Sequence, residues 1–311
     1  VNILVLLGGT SPEREISLKT GAGIVAALSR RGHRVLAGDP GTGRLASADR
    51  LALGDKAAAV TGAPASPDLS PALAERTYSL IHSGEAAAVD VVFIALHGGA
   101  GEDGRLQALL ELAGKAYTGS GPLASALAMD KVMAKRLFVW GGVPTPEWID
   151  LTAAEALALA AEAMAAEAMA APGAAPLPFA GLGGLPIVVK PVDQGSTIGV
   201  TVVHAWGELE PAILAAARYG DRVLIERFIP GREIAVGILG DQALPAVEIE
   251  PTRDVYDYEC KYVKGMSRYT CPARIEEGLA RKVEEAALAA FRVLGCADFA
   301  RVDVRLAPDG K

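Results

Sequence analysis

The sequence predicts an α/β protein, and three features predict it. Runs of β-branched and other apolar residues at 2–7 (NILVLL) and 89–96 (VDVVFIAL) each end in a glycine-bearing loop. Each loop leads into a stretch of helical composition, and strands alternating with helices indicate a parallel sheet over residues 1–119. Further on, residues 185–200 (LPIVVKPVDQGSTIGV) read as strand, glycine-bearing turn, strand.

Residues 2–7 form the first strand. Ser11 suits the N-cap, Pro12 the first helical position and Glu13 the first turn of a helix reaching about Arg31. Gly32 stops that helix and residues 33–36 begin a second strand, while 39–80 are mixed and without clear pattern. Residues 89–96 make the next strand, 105–113 a helix and 116–118 a short strand. Ligands of such sheets bind beyond the carboxyl ends of strands, where 8–13 and 97–104 both fall. From Gly121 a helical stretch runs to Trp140, broken near Asp130. Residues 153–171 are nearly all Ala, Glu, Leu and Met, so they form a helix. The tandem AEAMA at 161–170 reads as drift on a solvated face. Residues 172–184 read as a Pro/Gly/Ala linker. After the 185–200 hairpin, whose second strand begins at Ile198, come a helix at about 208–219 and a strand at 222–229 (RVLIERFI). Strands at 233–239 and 243–249 flank Gly240-Asp241-Gln242. Residues 254–270 carry four tyrosines and many charges in a loop of functional composition. An amphipathic helix at 275–294 and an alternating strand at 299–306 (FARVDVRL) follow, the latter ending at a Pro308-Asp309-Gly310 turn.

A chain of 311 residues, 51% hydrophobic and 22% charged, has room for two or three full-sized cores. Thirty basic residues against 37 acidic give a net charge of −7, which argues against a nucleic-acid partner. Cys260, Cys271 and Cys296 are odd in number and lack CxxC spacing, so neither a disulfide framework nor a zinc site is predicted. Residues 1–7 lack a basic leader and read as a strand rather than a signal peptide. Glutamates interrupt the longest alanine-rich stretch, so no membrane span is predicted. A soluble protein of the reducing cytoplasm is expected.

The 185–200 stretch offers backbone N–H groups and two hydroxyls around Gly195, with Lys190 at the strand end, which suits a mobile flap over a nucleotide triphosphate. No GxxxxGK[ST] loop occurs, and no Ser/His/Asp or Cys/His triad is discernible. What recurs is a cation at a strand end or in a loop (Lys131, Lys190, Lys261, Arg301) with acids close by (Glu226, Glu233, Asp303). Phosphoryl transfer needs such a set, because its catalysis is mostly charge neutralisation and positioning. Singly, each residue has an ordinary alternative. Glu13 also complements a helix dipole, Glu226 and Glu233 also suit outward strand positions, Arg301 and Asp303 also suit a solvent face, and Tyr262 also suits packing.

Taken in order, LLGGTSPEREISLKTG, ALHGGAGEDGRLQALLELAGKAYTGSGPLASALAMDK, VVKPVDQGSTIGV, LIERFIPGREIAVGILG, YDYECKY and LGCADFARVDVRL closely resemble the D-alanine–D-alanine ligases of the ATP-grasp superfamily. The resemblance implies a three-domain fold: an N-terminal Rossmann-like parallel-sheet domain at 1–119, a central domain at 120–228 and a C-terminal domain at 229–311, with ATP between the last two. It implies a reaction in which one D-alanine is phosphorylated by ATP to an acyl phosphate and a second displaces phosphate, giving the dipeptide of peptidoglycan. By resemblance Glu13 binds the ammonium of the first D-alanine with His97 alongside, and Ser196 and Tyr262 join Glu13 in a closing hydrogen-bond network. Lys131, Lys190 and Lys261 hold ATP phosphates. Glu226 accepts from the adenine amino group, the backbone at Phe228 and Ile229 lines the base, and Glu233 takes the ribose. Arg301 stabilises the acyl phosphate and tetrahedral intermediate, and Asp303 ligates Mg²⁺ or Mn²⁺, of which two ions are implied. A homodimer is expected.

The family's return strand, with a Glu and an Asn for the metal, and its Pro-Gly-Met loop would lie beyond Lys311. The 311-residue polypeptide is therefore expected to be inactive or nearly so, although its parent is an enzyme. Two rival readings are a D-alanine–D-lactate ligase and a non-catalytic ATP-binding protein. The first is disfavoured because those relatives carry a different residue, typically His, where Tyr262 stands. A dinucleotide-dependent dehydrogenase is disfavoured because GGTSPE lacks GxGxxG spacing.

Overall fold

In the computed structural model, which describes residues 1–47, 71–169, 177–252 and 265–310, the first strand, β1 (Asn2–Leu6), is sealed on both faces. Leu4, Val5 and Leu6 have no exposed surface. That is the environment of a central strand in a parallel sheet covered by helices on both sides. β1 pairs in parallel with β2 (Arg34–Asp39) and with β4 (Val91–Ile94), whereas β3 (Arg44–Ser47) returns antiparallel along β2, for the order β3-β2-β1-β4. Alternation along β1 then builds two cores. Ile3, Val5 and Leu7 pack with Val25 of α1 (Arg14–Arg30). Leu4 and Leu6 pack with Leu80 and Ile81 of α2 (Pro71–His82) and with Leu106 and Leu110 of α3 (Arg105–Leu112). These elements belong to one compact unit, Val1–Ala126 with Gly295–Phe299.

The second unit, Leu127–Leu294 with Ala300–Lys311, holds two further sheets. α4 (Pro122–Met129) leads into it, and α5 (Lys131–Trp140) opens it. One sheet has the order β5-β8-β6-β7: β5 (Trp148–Thr152), β8 (Arg222–Arg227), β6 (Ile187–Pro191) and β7 (Thr201–Val203), all antiparallel. Ile187, Val189, Val223 and Ile225 form one face of it. They meet Ala156, Ala160 and Ala163 of α6 (Ala153–Met169) and Leu209 and Ile213 of α7 (Leu209–Ala217). The other sheet contains β9 (Arg232–Leu239), β10 (Gln242–Ala243), β11 (Val247–Pro251), β12 (Ser267–Thr270) and β13 (Phe299–Leu306), the last pairing with β9. α8 (Glu277–Val293) buries Val283, Ala287, Ala290 and Phe291.

Several boundaries differ from those expected. α1 starts at Arg14, after a turn in which the Ser11 hydroxyl accepts the Glu13 amide at 3.2 Å. The strand expected at 116–118 is a single bridge between Val92 and Tyr117. The 172–184 linker is in part core: Leu177–Leu182 is a 3₁₀ turn whose Phe179 is fully buried and packs at a tilt against Trp206. β7 begins at Thr201, not Ile198, because Ser196 and Thr197 are left-handed and the Ile198 amide bonds back to the Gly195 carbonyl. Pro245 has no amide to donate, and the strand expected at 243–249 splits into β10 and β11 there. Most of the tyrosine-bearing 254–270 stretch lies outside the described residues, and its end, Ser267–Thr270, is strand β12.

Candidate active site

Each unit carries part of the predicted site. In the first, the chain leaves β1 at Gly8 and Gly9 and is clamped on both sides. The Gly8 amide donates to Ser17 Oγ at 2.9 Å, and Ser17 donates to the Ala95 carbonyl at 2.7 Å. Arg14 donates to both carboxylate oxygens of Asp39, at 2.9 and 2.6 Å, and to the Gly9 carbonyl at 2.6 Å. Asp39 also accepts the amides of Gly9 and Gly41. Burial alone would raise the Asp39 carboxyl, but hydrogen bonds from Arg14 and the Gly9 amide hold it below the usual range.

That clamp delivers Glu13, which is 6% exposed, against the loop after β4. The Ser11 hydroxyl donates to the His97 carbonyl. A Cβ on Gly98 would stand 2.5 Å from Glu13 Oε2, and Gly98 has φ +66. His97 Nε2 lies 3.1 Å from Thr20 Oγ1 and its Nδ1 is 3.7 Å from Glu102 Oε1. Glu13 and His97 are thus held on adjoining loops at the carboxyl ends of β1 and β4. Gly98→Ala is expected to push the Glu13 carboxylate aside and force a strained backbone. In binding titrations a ligand held by Glu13 should bind roughly tenfold or more weakly, at a cost of ~1–2 kcal/mol in positioning. A ligand held by the lysines of the second unit should bind as before in the same titrations.

In the second unit a buried charge cluster lies on the sheet face opposite α6 and α7. Strand alternation puts it there: Ile187, Val189, Val223 and Ile225 point into the helix-covered core, so Lys190 and Glu226 point the other way. Asp130 caps α5, accepting the amides of Val132 and Met133 at 3.0 and 2.9 Å. That cap fixes Lys131 in the first turn, where its ammonium meets the carbonyls of Val192 and Gln194 in the loop before β7. Burial, with Lys190 adding to it, pushes the Lys131 ammonium down to about 8. Glu226, 7% exposed, is paired with Lys190 and, at 3.1 Å, with Lys135. Burial acts to raise its carboxyl, yet the charges of Lys190 and Lys135 hold it below the ordinary value. Breaking such a buried pair costs about 3–5 kcal/mol.

The loop that joins β6 to β7 carries Ser196 and Thr197 at φ 50 and 62. Left-handed backbone at non-glycine residues costs ~1–2 kcal/mol each, and such strain gathers at ligand clamps. Across the unit, the exposed face of β13 presents Arg301, whose Nε and Nη2 donate to the two oxygens of Asp303 at 2.8 and 3.0 Å. Arg305, two residues on, donates to the Ile229 carbonyl at 3.0 and 3.1 Å and pairs with Glu233. Its guanidinium stacks 5.6 Å from the Phe228 ring.

The predicted residues therefore gather in three places: Glu13 with His97; Lys131, Lys190 and Glu226; and Phe228, Ile229 and Glu233 beside the β13 face. Lys261 and Tyr262 lie outside the described residues. Sequence reasoning missed Lys135 and Arg305. Both left a signal: Lys135 is one helical turn beyond Lys131 in MDKVMAK, and Arg305 shares the alternating face of Arg301 and Asp303. Among the described residues no three acidic, His or Cys groups assemble as a metal site. Asp303 alone falls well short of the six oxygens Mg²⁺ takes, so these residues do not by themselves fit the ion. Among the described residues no helix is long and apolar enough to cross a membrane.

Two family models match the chain: the D-ala D-ala ligase N-terminus over residues 2–120 and the D-ala D-ala ligase C-terminus over 141–311. A D-alanine–D-alanine ligase of Gloeobacter violaceus is 41% identical over 312 residues, covering 100% of this chain and 86% of the relative. Among solved structures, the D-alanine–D-alanine ligase from Bacillus anthracis complexed with ATP superposes with a TM-score of 0.70 at 26% identity, covering 100% of this chain and 83% of that one. The VanG D-Ala:D-Ser ligase from Enterococcus faecalis gives 0.71 at 28%, covering 100% and 87%.

Proposed function

The chain belongs to the D-alanine–D-alanine ligase family, and from that membership we infer that it joins two molecules of D-alanine at the expense of ATP, for peptidoglycan synthesis. Its fold is the α/β ATP-grasp fold. The single observation that carries the reading to this chain's own residues is the buried cluster of Lys131, Lys135 and Lys190 around one carboxylate, Glu226. Lys131 and Lys190 stand at the ends of their elements, where their ammonium groups suit the oxygens of a triphosphate.

In the proposed reaction a carboxylate oxygen of the first D-alanine attacks the γ-phosphorus and the bond to the β-phosphate oxygen breaks, releasing ADP. The amine of the second D-alanine then attacks the acyl carbon, loses a proton, and phosphate leaves. Glu13, buried and acceptor-rich, is proposed to hold the ammonium of the first D-alanine, beside His97. Lys131, Lys190 and Lys261 neutralise the phosphates as point charges. Arg301 offers paired donors to the acyl phosphate and to the oxyanion of the tetrahedral intermediate. The base is proposed to lie along Phe228 and Ile229 with its amino group on Glu226, and the ribose on Glu233. Ser196 and Tyr262 are proposed to link the closed loop to Glu13. Asp303 is proposed as one oxygen donor to Mg²⁺, and no step here is routed through the ion.

The domain boundary proposed near residue 228 is supported by β8 and β9 lying in different sheets. A homodimer in the cytoplasm, where ATP is supplied, is the proposed assembly and compartment.

The charge cluster implies a pH dependence. Phosphate binding needs Lys131 protonated, and bound phosphate raises its affinity for the proton. ATP affinity is therefore expected to fall as pH rises above about 8, with proton uptake on binding in that range. Calorimetric titrations in buffers of different ionisation enthalpy read both effects. Affinity that stays level from about pH 7 to about pH 9.5 would count against Lys131 as a phosphate ligand. The function itself is tested on the full-length protein by product analysis with D-alanine and D-lactate in competition at neutral pH. D-Alanyl-D-alanine should dominate, and a dominant depsipeptide would assign the chain to the D-lactate branch.

A further inference from the structure

We propose that Lys135 is the positioning residue for nucleobase selection: it fixes the Glu226 carboxylate in place, so that this carboxylate can choose a 6-amino over a 6-oxo purine. The inference rests on the adenine reading of Glu226 given above.

The Lys135 side chain is saturated by the protein. Its Nζ donates to Thr145 Oγ1 at 2.8 Å and to the Pro146 carbonyl at 2.9 Å, pairs with Glu226 Oε2 at 3.1 Å, and lies 5.0 Å over the Trp148 ring. It is 6% exposed. A lysine with its donors committed in this way has little to offer a phosphate. Lys190 differs: among the described residues its ion pair is to Glu226 Oε1, and its side chain is 19% exposed at the strand end. Nucleotide phosphates would draw Lys190 toward themselves and leave Glu226 with Lys135.

Strand register fixes the geometry. Trp148 stands opposite Glu226 on β5, and Val188 opposite it on β6, so the carboxylate sits in a row of apolar neighbours. The charges acting there come from Lys135 on α5, Lys190 on β6 and Lys131 at the start of α5. Glu147, before β5, acts on Lys135, and Asp130 and Asp193 act on Lys131. Without Lys135, a carboxylate in that row and without Lys190 would take up a proton. An ionised Glu226 accepts from an amino group and repels a carbonyl. A protonated Glu226 can donate to a 6-oxo group, so the preference would swing from adenine toward hypoxanthine.

The test is calorimetric binding of ATP and of inosine triphosphate, which needs no turnover. Lys135→Met should lower the ATP-over-inosine ratio about tenfold or more, and Lys135→Arg, which keeps the charge, should recover most of it. A merely structural role would change both affinities together and leave the ratio alone. Glu226→Gln separates the two levels of the argument. An unchanged ratio there would remove the adenine reading and this inference with it. A ratio that falls in Glu226→Gln but not in Lys135→Met would overturn the inference and leave the adenine reading standing. For wild-type protein the ratio should be flat from about pH 6 to about pH 8. A ratio that moves toward inosine triphosphate as pH falls through that range would overturn the proposal, however the variants fold.

Discussion

Replacing Arg301 by alanine in the full-length protein is expected to lower kcat by about 10²–10³-fold and to leave the KM for ATP within about threefold. The guanidinium fork already engages both oxygens of Asp303, at 2.8 and 3.0 Å, on an exposed strand face. Such a fork matches the paired oxygens of an acyl phosphate or of a tetrahedral intermediate, where negative charge develops only as reaction proceeds. An interaction made only in the transition state affects turnover rather than ground-state binding. Arg301→Lys should restore little, because an ammonium cannot reproduce two parallel donors. Steady-state kinetics decides: a raised KM for ATP with kcat intact would make Arg301 a binding residue instead.

Lys190→Ala should act on the other parameter. It removes a point charge proposed to hold the triphosphate, and a charged hydrogen bond is worth about 1.5–3 kcal/mol, or roughly 10–100-fold in affinity. The KM for ATP should rise by that factor while the KM for D-alanine stays level. Stability should drop less than for loss of Lys135, since Lys190 is 19% exposed and Glu226 keeps its deeper partner. An unchanged KM for ATP would exclude the phosphate role. Neither variant duplicates Gly98→Ala, whose expected effect falls on D-alanine alone.

What the sequence made legible was local chemistry. A break at Asp130 was readable because Asp caps a helix with its own side chain, and that cap is present. β13 matches residues 299–306 because strict alternation admits one register. The failures came where distant contacts decide. Phe179 sits in a segment of linker composition, yet packs against Trp206, which no local pattern signals. Ile198 looks like a strand residue, but two preceding left-handed residues hold it in a turn. The proposed site residues divide in the same way. Lys131 and Lys190 stand at an element's end, where local chemistry is enough to propose them. Lys135 and Arg305 act through partners 91 and 72 residues away, Glu226 and Glu233, and emerged only with the fold.

The acyl-phosphate pathway is the centre of this account, and the fate of one oxygen atom tests it most directly. Ligation of D-alanine carrying oxygen-18 in its carboxylate should deliver one labelled oxygen to each phosphate released, in step with dipeptide formed. Unlabelled phosphate accompanying dipeptide would mean that water or another group attacks ATP, and the mechanism proposed here would be wrong.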